Sequence, residues 1–385
     1  MRPRTGFTGR RIVLDCGAMQ SKVEHLYVHV PFCAAKCGYC AFYSEPRDPA
    51  TMAAYVDAVT QELAPIVSQL ALTTIFFGGG TPSILPAPLL DRLLDAAGRV
   101  RCPSAPLEWT IECNPATLDD DKLRLLRDHG VNRLSLGVQA FDDDLLHRLG
   151  RIHTARDAIA SYNAVRAAGF RNVNLDLIFA LPGQTLAHWQ QTLQRAIELQ
   201  PDHLSCYSLT FEEDTAFWNL HQQGRLHPNP ELESAMFETT IDTLAAAGYQ
   251  QYEISNFAKP GRECQHNLAY WQGADYLGLG PSACSTVTNR RWQNVANIDR
   301  YVAAISHQLS AVSFEETLTP ELRAGERVAF GMRMTAGVPA ELVRGRWDKE
   351  IAGLLTAGLV EWYAERLRPT RRGLLFADAI AAEFV

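Results

Sequence analysis

The sequence predicts an α/β fold, a partial (β/α)6 barrel with a C-terminal α+β winged-helix-like appendage. Three observations carry that expectation. Strand-like runs alternate with amphipathic helical runs between residues 26 and 209, the pattern of right-handed βα units around a parallel sheet. Polar and glycine-rich clusters fall at the end of one predicted strand after another, where the chemistry of (β/α) barrels sits. Beyond residue 210 the alternation loosens, and the remainder reads as helices with a short hairpin over 359–369.

The runs 26–30, 74–77, 108–112, 134–138, 173–178 and 204–209 are mostly β-branched, aromatic or otherwise apolar, as strands buried on both faces must be. Between the first two, Val56, Val59, Leu63, Ile66, Val67 and Leu70 recur at helical spacing, and further on Leu186, Trp189, Leu193, Ala196 and Ile197 do the same. Six βα units fall short of the eight that close a barrel. Three cysteines follow the first strand, Gly78-Gly79-Gly80-Thr81-Pro82 follows the second, and Glu112-Cys113-Asn114-Pro115 closes the third. Gln139 follows the fourth and Asp176 lies near the end of the fifth. Packing alone does not put polar elements at five successive strand ends. A helix is predicted over 231–247, a strand over 249–254 and an irregular segment over 256–285. The expected division is an N-terminal extension over 1–24, a core over 25–300 and a winged-helix-like domain over 301–385.

The 385 residues suffice for two domains or one with an appendage, and 47% apolar content supports a core. No apolar run approaches the roughly 18 to 20 residues of a membrane span; only transient contact with a membrane surface is compatible with that. A net charge of −7 argues against a dedicated nucleic-acid surface. The Arg366, Arg368, Arg371, Arg372 cluster reads as a solvated face. Nine cysteines, an odd number, fit a reducing cytoplasm. Arg2, Arg4, Arg10 and Arg11 precede the first acid, Asp15, with no apolar stretch of a secretory signal among them. Initiation at Met19 rather than Met1 is the simpler expectation for this leader.

Cys33-Ala34-Ala35-Lys36-Cys37-Gly38-Tyr39-Cys40 places three thiols within eight residues. Three cysteines on one loop can hold three corners of a [4Fe–4S] cube and leave the fourth iron open to a small molecule. Structural zinc usually takes four closed ligands, and no fourth cysteine lies on the loop. Three thiols cannot all pair as disulfides. The bland alternative, thiols buried as small apolar groups, does not call for three on one loop. Gly78-Gly79-Gly80 at a strand end lets a ligand approach the backbone without interference from Cβ; a tight turn is the other reading. Glu112 sits in an apolar stretch and needs a partner or a cleft. Gln139 and Asp176 suit hydroxyls, and Arg151 suits a carboxylate.

The C-x3-C-x2-C spacing resembles the radical SAM superfamily, in which the open iron chelates S-adenosylmethionine (SAM). Tyr27-Val-His-Val-Pro-Phe-Cys33, Phe77-Gly-Gly-Gly-Thr-Pro-Ser83, Asn132-Arg-Leu-Ser-Leu-Gly-Val-Gln-Ala-Phe141, Leu149-Gly-Arg-Ile-His153, Asn174-Leu-Asp-Leu-Ile178 and Leu181-Pro-Gly-Gln184 resemble the anaerobic coproporphyrinogen III oxidase family from about residue 25 onward. The resemblance implies a radical SAM barrel in which Cys33, Cys37 and Cys40 ligate the cluster. It also implies that Tyr27, Tyr39, Gly79, Gly80, Thr81, Glu112, Gln139, Arg151 and Asp176 contact SAM. Thr81 stands where many members have an acid.

Two features separate the branches of that family. True oxidases carry another cysteine two residues after the third ligand, where this chain has Phe42; the HemW-like heme-chaperone subgroup has an aromatic residue there, commonly after an Asp that is Ala41 here. Cys264-Gln-His-Asn-Leu-Ala-Tyr-Trp271 resembles a motif of that subgroup implicated in heme binding. His266, Tyr270 and Trp271 could ligate iron and stack on a porphyrin, or could pack a loop over the barrel mouth. The expected function is therefore that of a cytoplasmic heme chaperone with a [4Fe–4S] cluster, SAM and heme, delivering heme to an acceptor hemoprotein of the respiratory chain. The alternative is oxygen-independent oxidation of coproporphyrinogen III.

Overall fold

The computed structural model of the protein describes residues 23–46, 48–100 and 107–385. β1 (Val23–Val30) is followed by β2 (Phe32–Cys33) and β3 (Glu45–Pro46), a short parallel pair with the cysteine loop between them. Then come α1 (Pro49–Leu63), β4 (Leu70–Gly79), α2 (Ala87–Gly98), β5 (Glu108–Cys113), α3 (Asp120–Asp128), β6 (Arg133–Gln139), α4 (Asp143–Leu149), α5 (Ala155–Ala167), β7 (Val173–Phe179), α6 (Leu186–Glu198) and β8 (His203–Ser208). Strands β1, β4, β5, β6, β7 and β8 lie side by side in that order, all parallel. These are the six expected βα units, and the sheet stays open. Pro65 follows the end of α1, where a tight turn over Ala64–Gln69 takes over. Leu70, expected on the helix, therefore opens β4 instead.

Alternation along the strands sorts their side chains. Leu26, Val28, Val30, Ile75, Phe77, Trp109, Ile111, Leu134, Leu136, Leu175 and Leu177 are fully buried in the main core. Their neighbours Tyr27, Phe76, Glu112 and Asp176 are only partly covered. Register sets the polar positions abreast: Glu112 lies beside Ser135, Ser135 beside Asn174, Gly137 beside Asp176, and Asp176 beside Ser205.

Beyond β8 come α7 (Ala216–Gln222), α8 (Pro230–Ala246), β9 (Gln250–Gln251), β10 (Asn256–Ala258), α9 (Gln265–Trp271), β11 (Tyr276–Leu279), β12 (Cys284–Val287), β13 (Arg290–Asn294), α10 (Ile298–Ser306) and β14 (Val312–Thr317). The predicted strand over 249–254 shrinks to β9, because the chain turns at Tyr252, whose hydroxyl bonds His203 (2.8 Å). The stretch 256–285 is not irregular. It supplies β10 antiparallel to β8, the helix α9, and β11 as a seventh parallel strand against β1. Gly278 is there for close strand approach rather than for a turn: a Cβ on it would stand 2.1 Å from Cys284 O.

β12, β13 and β14 continue the sheet antiparallel beyond β11, so residues up to Thr317 belong to it. α11 (Pro320–Gly331), β15 (Val338–Pro339), α12 (Asp348–Thr356), β16 (Val360–Tyr363) and β17 (Arg366–Pro369) follow. They surround a separate apolar cluster that includes Val328, Met332, Ile351, Leu367 and Phe384. The expected N-terminal extension lies outside the described residues apart from Val23 and Glu24, which begin β1, and so does the expectation about Met19.

Candidate functional site

Cys33 ends β2, and Cys37 and Cys40 lie on the loop that leads to β3; all three thiols are free and half-buried. Two helices fix that loop from beyond the sheet. Gly38 N donates to Leu149 O at the end of α4 (3.2 Å), and Phe217 N in α7 donates to Gly38 O (2.9 Å). Tyr39 packs against the Phe217 ring, 6.4 Å between centroids. Burial pushes the Cys33 thiol up, against the pull of the Thr81 hydroxyl and the Arg151 guanidinium. Burial also raises Cys40, which Lys36 opposes. A metal bound to these sulfurs would take them as thiolates.

Beside the loop, the ends of β4 to β7 form one polar cradle. Gly79 (φ +103°) donates its N–H to Glu112 Oε2 (3.1 Å). Gly80 N and Thr81 N donate to Val30 O (2.9 Å) and Phe32 O (2.7 Å). A Cβ on Gly80 would stand 2.7 Å from Phe32 O, so only glycine lets this loop lie against the strand that leads into the cysteines. A chain of contacts joins the two loops. Asn114 Nδ2 donates to Thr81 Oγ1 (2.8 Å), Arg151 Nη2 donates to Asn114 Oδ1 (2.5 Å) and Gly137 O (2.7 Å), and Arg151 Nη1 reaches Cys37 Sγ (3.6 Å). Asn114, Gln139 and Arg151 all converge on the open side of Gly137. Gln139 adopts φ +68° at a register shift in β6, a strained conformation for a residue with a side chain.

Two carboxyl groups sit at the bottom of this cradle. Burial, and then the neighbouring Asp176, push Glu112 up to about 8. Burial also raises Asp176, against hydrogen bonds from Ser135 Oγ (2.8 Å) and Asn174 Nδ2 (2.8 Å). Tyr27 bonds His29 Nδ1 (3.1 Å) and stacks on Phe76 (6.2 Å), forming one wall. The structure thus brings together Cys33, Cys37, Cys40, Gly79, Gly80, Thr81, Glu112, Gln139, Arg151 and Asp176, with Tyr27 and Tyr39 at the flanks. The sequence reading did not single out Asn114, Ser135 and Asn174.

His266, Tyr270 and Trp271 lie elsewhere. His266 bonds Thr74 Oγ1 through Nδ1 (2.7 Å) and stacks on Phe76 (5.2 Å). Its backbone N–H donates to Glu108, the first residue of β5. Thr74 precedes Gly79 by five strand residues, roughly 16 Å at 3.3 Å each. α9 therefore covers the N-terminal ends of the strands and not the mouth that holds the cysteines. His266 is 1% exposed and its Nε2 is buried without a partner. Tyr270 packs on His266 (4.7 Å), and Trp271 lies under the Arg333 guanidinium (5.2 Å).

Residues 27–196 match the Radical SAM superfamily. The protein named heme chaperone HemW from Bacillus subtilis (strain 168) is 37% identical over 381 residues, covering 94% of this chain and 99% of that relative. Its namesake from Escherichia coli (strain K12) is 42% identical over 273 residues, covering 68% of this chain and 70% of the relative. The chain belongs to the HemW family. The solved structure of coproporphyrinogen III oxidase (HemN) from Escherichia coli, described as a radical SAM enzyme, is similar with a TM-score of 0.81. It is 27% identical and covers 94% of this chain and 90% of that one.

The residues of this HemW-family chain fit a cluster with SAM. Among the described residues no three His, Cys, Asp or Glu side chains gather around a single ion, whereas a cube takes its thiolates at separate irons. Arg151 Nε is buried without a partner. Among the described residues no basic side chain is in hydrogen-bond contact with the Glu112 carboxyl, which leaves that acid open to a cationic ligand. For heme the fit is different: the His266 ring, as folded, is closed to a ligand by Thr74, Phe76 and Tyr270.

Proposed function

We propose that this protein is a cytoplasmic heme chaperone built on a radical SAM core. It holds a [4Fe–4S] cluster at Cys33, Cys37 and Cys40, binds SAM in the cradle, and carries heme to an acceptor hemoprotein of the respiratory chain. The observation that carries this reading is the near-full-length likeness to proteins named as heme chaperones. Phe42 supports it: 66% exposed, it occupies the position where the resemblance puts the extra cysteine of the oxidases. No described helix is long and apolar enough to cross a membrane.

Cluster and SAM, when bound, supply one-electron chemistry at the adenosyl sulfonium. The chain's own groups bind and orient. Arg151, fixed by Asn114 and Gly137 O, offers its free Nε to a carboxylate. A cationic ligand beside Glu112 favours its carboxylate and so draws its proton off, against the burial and the Asp176 charge that hold it. Asp176, oriented by Ser135 and Asn174, accepts from hydroxyls. Tyr27 and Phe76 exclude water from one side.

Anaerobic incubation of the reconstituted protein with coproporphyrinogen III, SAM and reductant, beside a heme titration and transfer to a heme-free acceptor, separates the two functions. Stoichiometric heme binding and transfer without turnover are expected. Sustained protoporphyrinogen formation would establish the oxidase instead, the reading that the HemN-like fold favours.

A further inference from the structure

At the N-terminal ends of the strands, on the outer side of α9, lies a cleft of about 820 Å3, within the size range of small-molecule sites. His25 of β1, Leu107, Arg171, Arg262, Leu268 and Ala269 line it. His25 bonds Thr74 Oγ1 through Nδ1 (2.9 Å), and its Nε2 makes no hydrogen bond among the described residues. Thr74 in turn contacts His266 Nδ1 (2.7 Å). The hydroxyl therefore links an imidazole that lines the cleft to one that is sealed behind it.

The charges around the cleft are unevenly spent. Neither Arg171 nor Arg262 has a side-chain hydrogen bond or ion pair among the described residues. Glu108 also borders the cleft, but its carboxylate already accepts from Gln265 N (3.1 Å), His266 N (3.1 Å) and Cys264 Sγ (3.6 Å). Glu24 is the remaining acid of the lining. Burial lowers the His25 pKa, against the carboxylates of Glu24, Asp275 and Glu108, so the ring is neutral at physiological pH. A neutral imidazole with a free Nε2, two guanidiniums unpaired among the described residues, and Leu107, Leu268 and Ala269 beside the amides Asn132, Asn172 and Gln272 in one lining suit a metal-bearing ligand with carboxylate arms.

We propose that this cleft docks an iron porphyrin dicarboxylate, with His25 Nε2 as the axial ligand and Arg171 and Arg262 as partners of the carboxylates. The proposal rests on the heme-chaperone reading and gives its cargo a place. His266 is then a positioning residue. Ligation through His25 Nε2 requires the proton on Nδ1, donated to Thr74; the Thr74 hydroxyl donates to His266 Nδ1, and His266 carries its own proton on Nε2. No proton enters or leaves the relay. Outer-shell partners of this kind orient a ligating histidine and tune its basicity.

The test is titration of ferric heme into the anaerobically reconstituted full chain, followed by Soret absorbance and electron paramagnetic resonance. His25→Ala is expected to bind at least tenfold more weakly and to lose the histidine-ligated spectrum, with added imidazole restoring it and cluster iron and sulfide unchanged. His266→Asn is expected to keep histidine ligation but shift the iron–nitrogen stretch in resonance Raman spectra of the ferrous complex. The double change Arg171→Glu, Arg262→Glu is expected to weaken heme but not its dimethyl ester. An unaltered spectrum and affinity in His25→Ala overturn the assignment and leave the chaperone reading standing. Wild-type protein that binds no heme overturns both.

Discussion

Replacing Glu112 with Gln isolates the buried acid in the cradle. Its carboxyl is pushed up to about 8, first by burial and then by Asp176, so the ligand-free protein favours the protonated form at pH 7. A cationic sulfonium beside it favours the carboxylate, and the proton leaves on binding. Wild-type protein should therefore release more protons per SAM than Glu112→Gln at pH 7, by up to about one, and that excess should fade as the pH is raised past about 8. Calorimetric titration of SAM in buffers of differing ionisation enthalpy measures that difference; any proton lost by SAM itself cancels in the comparison. Equal release by the two proteins at pH 7 would refute the placement of Glu112 against the ligand. The same raised pKa bears on stability without ligand. The folded state binds the extra proton between the ordinary 4.5 and about 8, so wild-type stability falls across that window relative to Glu112→Gln and levels off above it.

Cys37→Ser should remove the broad cluster absorbance and most of the iron while circular dichroism stays that of the folded chain; undiminished iron would contradict the ligand assignment. Gly80→Ala must push Phe32 and Val30 backbone atoms away, since its Cβ would stand 2.7 Å from Phe32 O and 2.8 Å from Val30 O. A loss of about 1–3 kcal/mol in urea unfolding, with lower cluster occupancy, is expected. Tyr301→Phe deletes a 2.6 Å hydrogen bond to the Glu62 carboxylate and should cost about 1–3 kcal/mol without altering iron content.

The parallel strands were legible because apolar residues hold at least every second position, as Leu134, Leu136 and Val138 do in β6. α9 and β11 were not. Seven helical residues give too few turns for a periodic stripe, and Tyr276-Leu277-Gly278-Leu279 reads as a turn until Cys284 is seen to lie against Gly278. At the site, the cysteines, the glycine loop and the polar strand ends declare themselves by spacing and position. Asn114, Ser135 and Asn174 do not: single polar residues acquire meaning only when strand register sets them beside Thr81, Arg151 and Asp176. His25 carried no local signal either. Its link to His266 spans 241 positions and exists only through Thr74.

Mössbauer spectroscopy of the anaerobically reconstituted chain, with and without SAM, reaches the centre of the proposed function. Four irons per chain, one of which changes its spectrum when SAM is added, are expected from three cysteine ligands and one open vertex. Zinc in place of iron, or four irons that ignore SAM, would contradict it.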